Sequence, residues 1–217
     1  LNRTEKYREA ETAFRESLAA SPRPELERRI RFNLAVALHA REKFAEAADL
    51  FQQALREGGE DKCSLPLLRW LAEFNYDRKR YDESVAAARL LVEREAAASW
   101  VQTGWGLLGR AWAAKGEAGK ARNAFEKCLG VEAATPFAAE AALRLGEFAA
   151  AEEELEEAAD YYRRAAAGAG EEDALSVRAH AYAGLARVLR KLGEPAASAR
   201  YFMSVAILYE DPELVPE

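Results

Sequence analysis

Hydrophobic and small residues in this chain recur with the spacing of amphipathic helices. The clearest segment carries such residues at i, i+3, i+4 and i+7, which lie on one face of a helix: Trp105, Leu108, Gly109 and Trp112. Gly116 then interrupts the pattern, and Ala121 and Phe125 share one face of a second helix. The segment therefore predicts two amphipathic helices joined by a short turn.

The same two-helix pattern repeats along the chain at a nearly constant interval. A small residue of the second helix recurs at steps of 37 residues, and of 40 at the last step: Ala10, Ala47, Ser84, Ala121, Ala158 and Ser198. Four residues later an aromatic side chain follows in every unit but the third, which has Ala88: Phe14, Phe51, Phe125, Tyr162 and Phe202. A fixed period in this range predicts stacked helical hairpins that bury their apolar faces against one another.

The residue order W-x2-L-G-x2-aromatic followed by A-x3-F resembles the signature of the tetratricopeptide repeat family. The other units keep this order with substitutions, as in Leu34, Ala35 and Leu38 of the second unit or Tyr182, Leu185 and Ala186 of the last. The resemblance covers nearly the whole chain. It implies an all-α fold, a right-handed superhelical solenoid of antiparallel helix pairs, in which Gly109 faces Ala121.

The resemblance divides the chain into a half repeat and five full repeats. The half repeat occupies residues 1–22, and the full repeats are expected at about 25–59, 64–96, 99–132, 136–169 and 174–210, with the start of a further unit at 211–217. Because both ends cut through the periodic pattern, we expect a single solenoid that is a fragment of a longer protein.

The units are three residues longer than the usual unit of 34 residues in this family. The longer form resembles bacterial envelope repeat proteins of the Tol-Pal accessory and outer-membrane-assembly lipoprotein type. That resemblance implies a periplasmic or cell-envelope location, and a cytoplasmic location stays open.

Composition limits the classes of partner. Half of the residues are hydrophobic and 31% are charged, as in an ordinary globular chain. The net charge of −6 disfavours broad binding to nucleic acid, and no apolar run is long enough to span a membrane. Of the two cysteines, Cys128 is predicted to be buried on a helical face, whereas Cys63, in a polar connector, is predicted to be exposed.

No group of residues has the spacing of a catalytic or cofactor site. The segment from Gly104 to Gly109 matches G-x-G-x-x-G but follows no strand, so its glycines are predicted to pack helices rather than to bind a dinucleotide. His39 and His180 lie in different units without metal-ligand spacing. The acidic run at 152–157 is predicted to be a solvated helix start. We therefore expect no enzyme activity, no cofactor and no metal.

In the resembled fold the first helix of each pair lines the concave side of the solenoid. Residues of the first helices that do not pack within the pair should face that groove: Phe32, Val36 and His39; Arg69, Glu73 and Tyr76; Gly106, Arg110 and Ala113; Leu143, Glu147 and Ala150; Ala183, Arg187 and Arg190. Small residues should make the middle of the groove roomy, with Arg110 and Glu147 available to fix the register of a guest. An amphipathic helix or an extended peptide is the natural guest.

The family's carboxylate-binding readers use Lys and Asn side chains on first helices, and this clamp is not reproduced here. The matching positions carry other residues: Phe32, Val36, Arg69 and Glu73. The leading interpretation is a non-catalytic scaffold or adaptor that binds a protein partner. The alternative is a structural spacer that forms homodimers or larger assemblies through its solenoid ends, where the last helix should present Phe202, Val205, Leu208 and Tyr209. RNA reading by helical repeats is disfavoured by the acidic balance.

Overall fold

The fold was determined as a computed structural model that describes residues 3–20, 22–58, 63–94, 97–133, 135–169 and 175–208. All regular secondary structure in these ranges is α-helical, so the predicted all-α class is confirmed. The helices are α1 Arg3–Ala19, α2 Pro24–Ala40, α3 Phe44–Arg56, α4 Leu65–Asp77, α5 Tyr81–Glu93, α6 Ala98–Ala114, α7 Ala118–Gly130, α8 Pro136–Ala151, α9 Leu155–Gly168, α10 Leu175–Lys191 and α11 Pro195–Leu208. Tyr209 and the predicted further unit at 211–217 lie outside the described residues.

The chain forms two compact units, Leu1–Ala87 and Ala88–Glu217, and the boundary falls within α5. In the first unit α2 packs against α1 and α3, and α3 contacts α4. In the second unit α6 pairs with α7, α8 with α9 and α10 with α11, while α7 and α9 each pack against the following first helix. The predicted stacking of helix pairs is therefore observed within each unit.

The turn inside each helix pair uses a left-handed residue that recurs with the repeat. Positive φ angles occur at equivalent positions of the five pairs: Glu42, Lys79, Gly116, Glu153 and Gly193. In each pair the next amide donates to a carbonyl five residues back, as from Glu117 to Trp112. This is the Schellman arrangement that ends a helix. Only two of the five turns carry the glycine that this conformation favours.

Close approach of the paired helices depends on small residues at matching positions. Ser84 on α5 donates a hydrogen bond to the carbonyl of Ala72 on α4 at 2.8 Å, and Ser198 on α11 does the same to Ala186 on α10 at 2.7 Å. A side chain as short as serine reaches the partner backbone directly. The predicted role of small residues at the helix crossings is thus visible in hydrogen bonds.

Glycines provide space for the aromatic residue of the second helix. A Cβ atom at Gly109 would lie 2.5 Å from Cδ1 of Phe125. The nearest side chain to Gly109 is therefore Phe125, whereas the sequence predicted that Gly109 faces Ala121. Tyr162 of α9 is held between two glycines, because a Cβ at Gly146 or Gly184 would come within 2.8 or 2.5 Å of its ring. Real Cβ atoms do not approach so closely. The aromatic rings therefore occupy the space that a side chain at these glycine positions would need.

Gln102 fixes the connector between α7 and α8. Its side chain is 1% exposed, and its amide nitrogen donates to the carbonyls of Cys128, Val131 and Ala133 at 3.0–3.1 Å. Its amide oxygen accepts from the backbone and the hydroxyl of Thr135 at 3.0 and 2.7 Å. One buried amide thus satisfies several backbone groups where two helix pairs join.

Both cysteines are buried, which confirms the prediction for Cys128 and contradicts the one for Cys63. Cys63 occupies the position equivalent to Trp100 and Phe137 in the following units, at steps of 37 residues. Because Phe137 packs against Gly106 of the preceding pair, this position belongs to the interior even though polar residues precede it. Burial raises the pKa of the Cys128 thiol to about 12.

The two tryptophans of α6 lie close to lysine side chains. Trp105 and Trp112 are both half-buried. The Lys127 ammonium lies 4.5 Å from the Trp105 ring centroid, and those of Lys115 and Lys120 lie 5.0 and 4.5 Å from that of Trp112. Trp112 is therefore partly accessible, and lysine side chains lie against its ring.

Candidate protein-binding face

The three glycines of the G-x-G-x-x-G segment each contact a different neighbouring helix. A Cβ at Gly104 would meet Val92 of α5 at 2.8 Å, one at Gly106 would meet Phe137 of α8 at 2.6 Å, and Gly109 faces α7. The motif therefore packs α6 against three helices, as predicted. It lies within a helix rather than in the strand-to-helix turn that a dinucleotide site needs.

Some residues that were predicted to line the groove are buried instead. Gly106 lies under Phe137, Leu143 is 6% exposed within the core around Tyr162, and Ala183 packs with Ala179 and Val205. Within the second unit α6 contacts α8, and α8 contacts α10. These contacts between successive first helices bury part of the predicted groove residues. The prediction of open space at Gly106 is therefore wrong.

The charged members of the stripe lie on the surface of the second unit. Arg110 on α6 pairs with Glu140 on α8 at 3.1 Å, and its guanidinium lies 6.0 Å from the Phe137 ring centroid. Glu147 pairs with Arg144 at 2.9 Å. Arg187 and Arg190 on α10 are exposed, as is Ala113 on α6, while Ala150 is half-buried. The first helices of this unit thus carry a row of charges of both signs.

The charges of Glu147 and Arg187 both influence the buried Tyr162 hydroxyl. Burial raises the pKa of Tyr162 to about 12; the charge of Glu147 adds to this rise and that of Arg187 opposes it. Both charged groups therefore act on the same buried hydroxyl although they belong to α8 and α10. The structure brings these two predicted residues to one region of the first-helix face.

In the first unit the predicted groove residues lie in local pairs. Arg69 and Glu73 of α4 form an ion pair at 3.0 Å. The ring of Tyr76 lies 5.7 Å from that of Tyr81, and the ring of Phe32 meets Phe51 edge-on at 5.5 Å. Val36 is 41% exposed. Val36 and Arg69 are exposed, whereas Phe32, Glu73 and Tyr76 are half-buried.

His39 belongs to an aromatic cluster that the sequence did not reveal. Its ring lies 4.4 Å from Trp70 and 5.4 Å from Phe44, and Trp70 stacks on Phe74 at 5.1 Å. Within the described part of the chain the buried Nε2 of His39 has no hydrogen-bond partner. Burial lowers the pKa of His39. The available signal was the i, i+4 spacing of Trp70 and Phe74, which lies outside the repeat signature.

Glu11 forms a buried charge cluster that was also missed. Its side chain is 8% exposed and accepts from Lys43 at 2.8 Å, from Arg15 at 3.1 Å and from Arg41. Burial opposes ionisation, but the hydrogen bonds from Lys43, Arg15 and Arg41 outweigh it and lower the pKa of Glu11 to about 2. The cluster joins α1 to the turn between α2 and α3.

The described ranges contain neither a metal-ligating cluster nor a helix suited to span a membrane. No set of three or more His, Cys, Asp or Glu side chains there is arranged to hold a metal ion. No helix there has the length and apolar character needed to cross a bilayer.

The sequence matches the profile of the tetratricopeptide repeat family over residues 3–62 and 107–174, which together are more than half of the chain. Paired helices, small residues at the crossings and the aromatic residue of each second helix fit this family. The chain belongs to the tetratricopeptide repeat family. No curated protein sequence matches it significantly.

Solved structures share the fold at low sequence identity. PilF of Pseudomonas aeruginosa is 19% identical, with 96% of each chain covered and a TM-score of 0.64. MamA is 16% identical, over 82% of this chain and 95% of that one, with a TM-score of 0.60. PilW, a widely conserved type IV pilus biogenesis factor, is 19% identical, over 98% and 90%, with a TM-score of 0.56. These similarities establish the fold.

Proposed function

We propose that this protein is a non-catalytic scaffold that binds a peptide or helix of a partner protein along its first helices. Membership of a repeat family whose folds act through their surfaces supports this role. The observation that carries it is the row of accessible charges on the first helices of the second unit: Arg110, Glu140, Arg144, Glu147, Arg187 and Arg190.

The ion pairs in this row are suited to exchange with a partner. Side-chain exposure is 33% and 21% for Arg110 and Glu140, and 48% and 43% for Arg144 and Glu147. Partly exposed pairs of this kind contribute only about 0–1 kcal/mol each, so a partner can replace them at little cost. Complementary charges on the guest would then set its register and its association rate.

The first helices of the first unit carry candidate binding residues of their own. There a guest would contact six residues: Phe32, Val36, His39, Arg69, Glu73 and Tyr76. Arg187 and Arg190 in the second unit would favour an acidic end of the guest. The accessible apolar and charged groups together suit an amphipathic helix or an extended peptide.

The experiment compares protein capture from source-cell lysate by three immobilised forms. These are the natural chain, an Arg110→Glu plus Glu147→Arg variant, and a control with Asp160→Arg plus Arg163→Glu. The control reverses an exposed ion pair on second helix α9, at 2.7 Å, without changing the net charge. A protein retained by the natural chain and the control but lost from the first variant supports the proposal. Equal retention by all three contradicts it.

We also infer a role in the bacterial cell envelope. The repeat form resembles envelope proteins, and the similar PilW structure is described as that of a pilus biogenesis factor. Fractionation of source cells with an antibody against this chain tests the inference. Detection in the envelope or periplasmic fraction supports it, and detection only in the cytosol contradicts it.

A second candidate function is self-assembly through α11. Met203, Ile207 and Leu208 are 55%, 74% and 67% exposed, whereas Val205, which was predicted to be presented, is buried against Ala179 and Ala183. Such an apolar face favours association with another copy. Sedimentation over a concentration series should then show dimers that an Ile207→Glu variant loses. A monomer at all concentrations would contradict this candidate.

A further inference from the structure

A cavity of about 320 Å³ opens in the first unit between α2 and the last turns of α3. Its apolar lining is formed by Phe32 of α2 with Leu50 and Ala54 of α3. Arg28, Arg29 and Arg31 surround this lining. The volume is at the lower end of the range of roughly 300–1,000 Å³ found for small-ligand sites.

The repeats differ at the position of Phe32 and at the start of the helix pair that follows. In the second unit the equivalent of Phe32 is Gly106, and the ring of Phe137 from the first turn of α8 fills the space next to it. The equivalent of Phe137 is Cys63, which precedes the first residue of α4, Leu65. Helix α4 has 13 residues, whereas α2 and α6 have 17. A shorter helix with a smaller residue therefore follows α2 and α3.

Three arginines and two glutamates line this cavity. Arg31 pairs with Glu27 and, at 3.5 Å, with Glu57. Arg28 and Arg29 are exposed and form no ion pair within the described residues, and Glu25 is the remaining carboxylate of the lining. Two guanidinium groups thus stand beside an apolar depression, in a chain whose net charge is −6. Guanidinium groups bind carboxylates through paired hydrogen bonds.

We propose that this cavity binds an acidic peptide segment. One apolar side chain of the peptide enters between Phe32, Leu50 and Ala54, and neighbouring Asp or Glu carboxylates pair with Arg28 and Arg29. Three residues of the lining, Leu50, Gln53 and Ala54, belong to second helix α3, and only Phe32 is shared with the residues proposed for the first-helix face. The site therefore does not depend on the function proposed above.

The test measures fluorescence anisotropy of an amidated, fluorescein-labelled peptide, Ser-Asp-Glu-Leu-Glu-Asp-Ser, titrated with the full chain. Saturable binding is expected, and it should weaken as salt is raised from about 50 to 300 mM because exposed charges are screened. The peptide with Asn and Gln in place of Asp and Glu should bind at least about tenfold more weakly. Amidation removes the terminal carboxylate, so only side chains supply the negative charge.

Two variants address the two parts of the site. Arg28→Gln plus Arg29→Gln should weaken binding by at least about tenfold by removing the charged partners. Ala54→Leu should weaken it similarly by filling the cavity, while the circular dichroism spectrum and melting curve stay those of a folded chain. The matched control, Arg89→Gln plus Arg200→Gln, removes the same charge from exposed positions of α5 and α11 and should leave the affinity within about twofold.

Three results would overturn the proposal. The first is no saturable binding by the natural chain. The second is equal weakening in the matched control, which would show a general effect of net charge. The third is unchanged affinity in both Arg28→Gln plus Arg29→Gln and Ala54→Leu, because the peptide would then bind elsewhere on the chain.

Discussion

The ring of Phe125 on α7 covers the backbone of Gly109 on α6, where a Cβ atom would lie 2.5 Å from ring atom Cδ1. Phe125 is 1% exposed, so its ring has little freedom to move away. The same relationship holds between Tyr162 and Gly146. A glycine on the first helix and an aromatic residue on the second therefore work as one packing unit in consecutive pairs.

Replacement of Gly109 by alanine should lower the free energy of unfolding by about 1–3 kcal/mol, because the added methyl group meets an immobile ring. Urea denaturation followed by circular dichroism measures the change. Gly119→Ala is the matched control, since no atom lies within 4 Å of the added carbon on α7. The control should raise stability by about 0.5–1 kcal/mol. Equal effects of both changes would contradict this packing.

Substitutions in the left-handed turns should change stability in opposite directions at Gly116 and Lys79. Gly116 has a φ of 78°, so Gly116→Ala should destabilise the chain by about 1–2 kcal/mol. Lys79 adopts a φ of 61° with a side chain, so Lys79→Gly should stabilise it by a smaller amount, since glycine also loses more entropy on folding. Thermal denaturation of both variants measures the signs. A stabilising Gly116→Ala would refute the assignment of this turn.

The buried amide of Gln102 should be important for the junction of α6, α7 and α8. Gln102→Leu leaves the Thr135 amide and three carbonyls without their partner, and we expect a loss of about 2–4 kcal/mol. Chemical denaturation gives the value, and hydrogen exchange should show faster exchange at Thr135. A change below about 0.5 kcal/mol would mean that water replaces the side chain without loss.

Because the His39 imidazole is partly buried, we expect the stability of the fold to depend on pH near neutrality. Its pKa is lowered by burial, so the unfolded chain binds a proton more readily than the folded one. Stability is therefore retained above the unfolded value of about 6.5 and falls as pH decreases below it. We expect the His39→Phe variant to lose part of this pH dependence when its free energy of unfolding is measured between about pH 7.5 and 5. His180→Gln, at an exposed position, should keep the dependence.

The Glu11 cluster predicts a dependence in the acidic range. A carboxylate with a folded pKa of about 2 stabilises the fold above its unfolded value and loses that contribution as pH falls toward 2. Glu11→Gln should cost about 1–3 kcal/mol at neutral pH, since three cations lose their shared partner. Denaturation at pH 7 and 3 measures both effects. A variant with the natural pH dependence would show that Glu11 is not the responsible group.

The sequence predicted the helix pairs because each depends on local spacing. Trp105, Leu108 and Phe125 mark helical faces by their positions alone. The burial of Cys63, Gly106 and Leu143 was not predictable from one helix, because it results from contacts between successive pairs. The Glu11 cluster likewise joins residues about 30 positions apart, and such pairings carry no periodic signal.

The candidate face was predictable to a similar extent. The positions of Arg110, Glu147 and Arg187 on first helices followed from helical spacing, and these residues are accessible in the structure. Their partners Glu140 and Arg144 were not predicted, because an ion pair depends on how neighbouring helices are offset. The cavity beside Phe32 is formed by side chains of α2 and α3 together, so the pattern of either helix alone did not indicate it.

Site-specific photo-cross-linking tests the proposed binding face most directly. A benzophenone amino acid would replace Ala113 on α6 or Glu147 on α8, with Arg163 on second helix α9 as the matched exposed position. In source-cell lysate we expect one cross-linked partner from the two first-helix positions and none from Arg163. Cross-links of equal yield from all three positions, or only from Arg163, would contradict binding along the first helices.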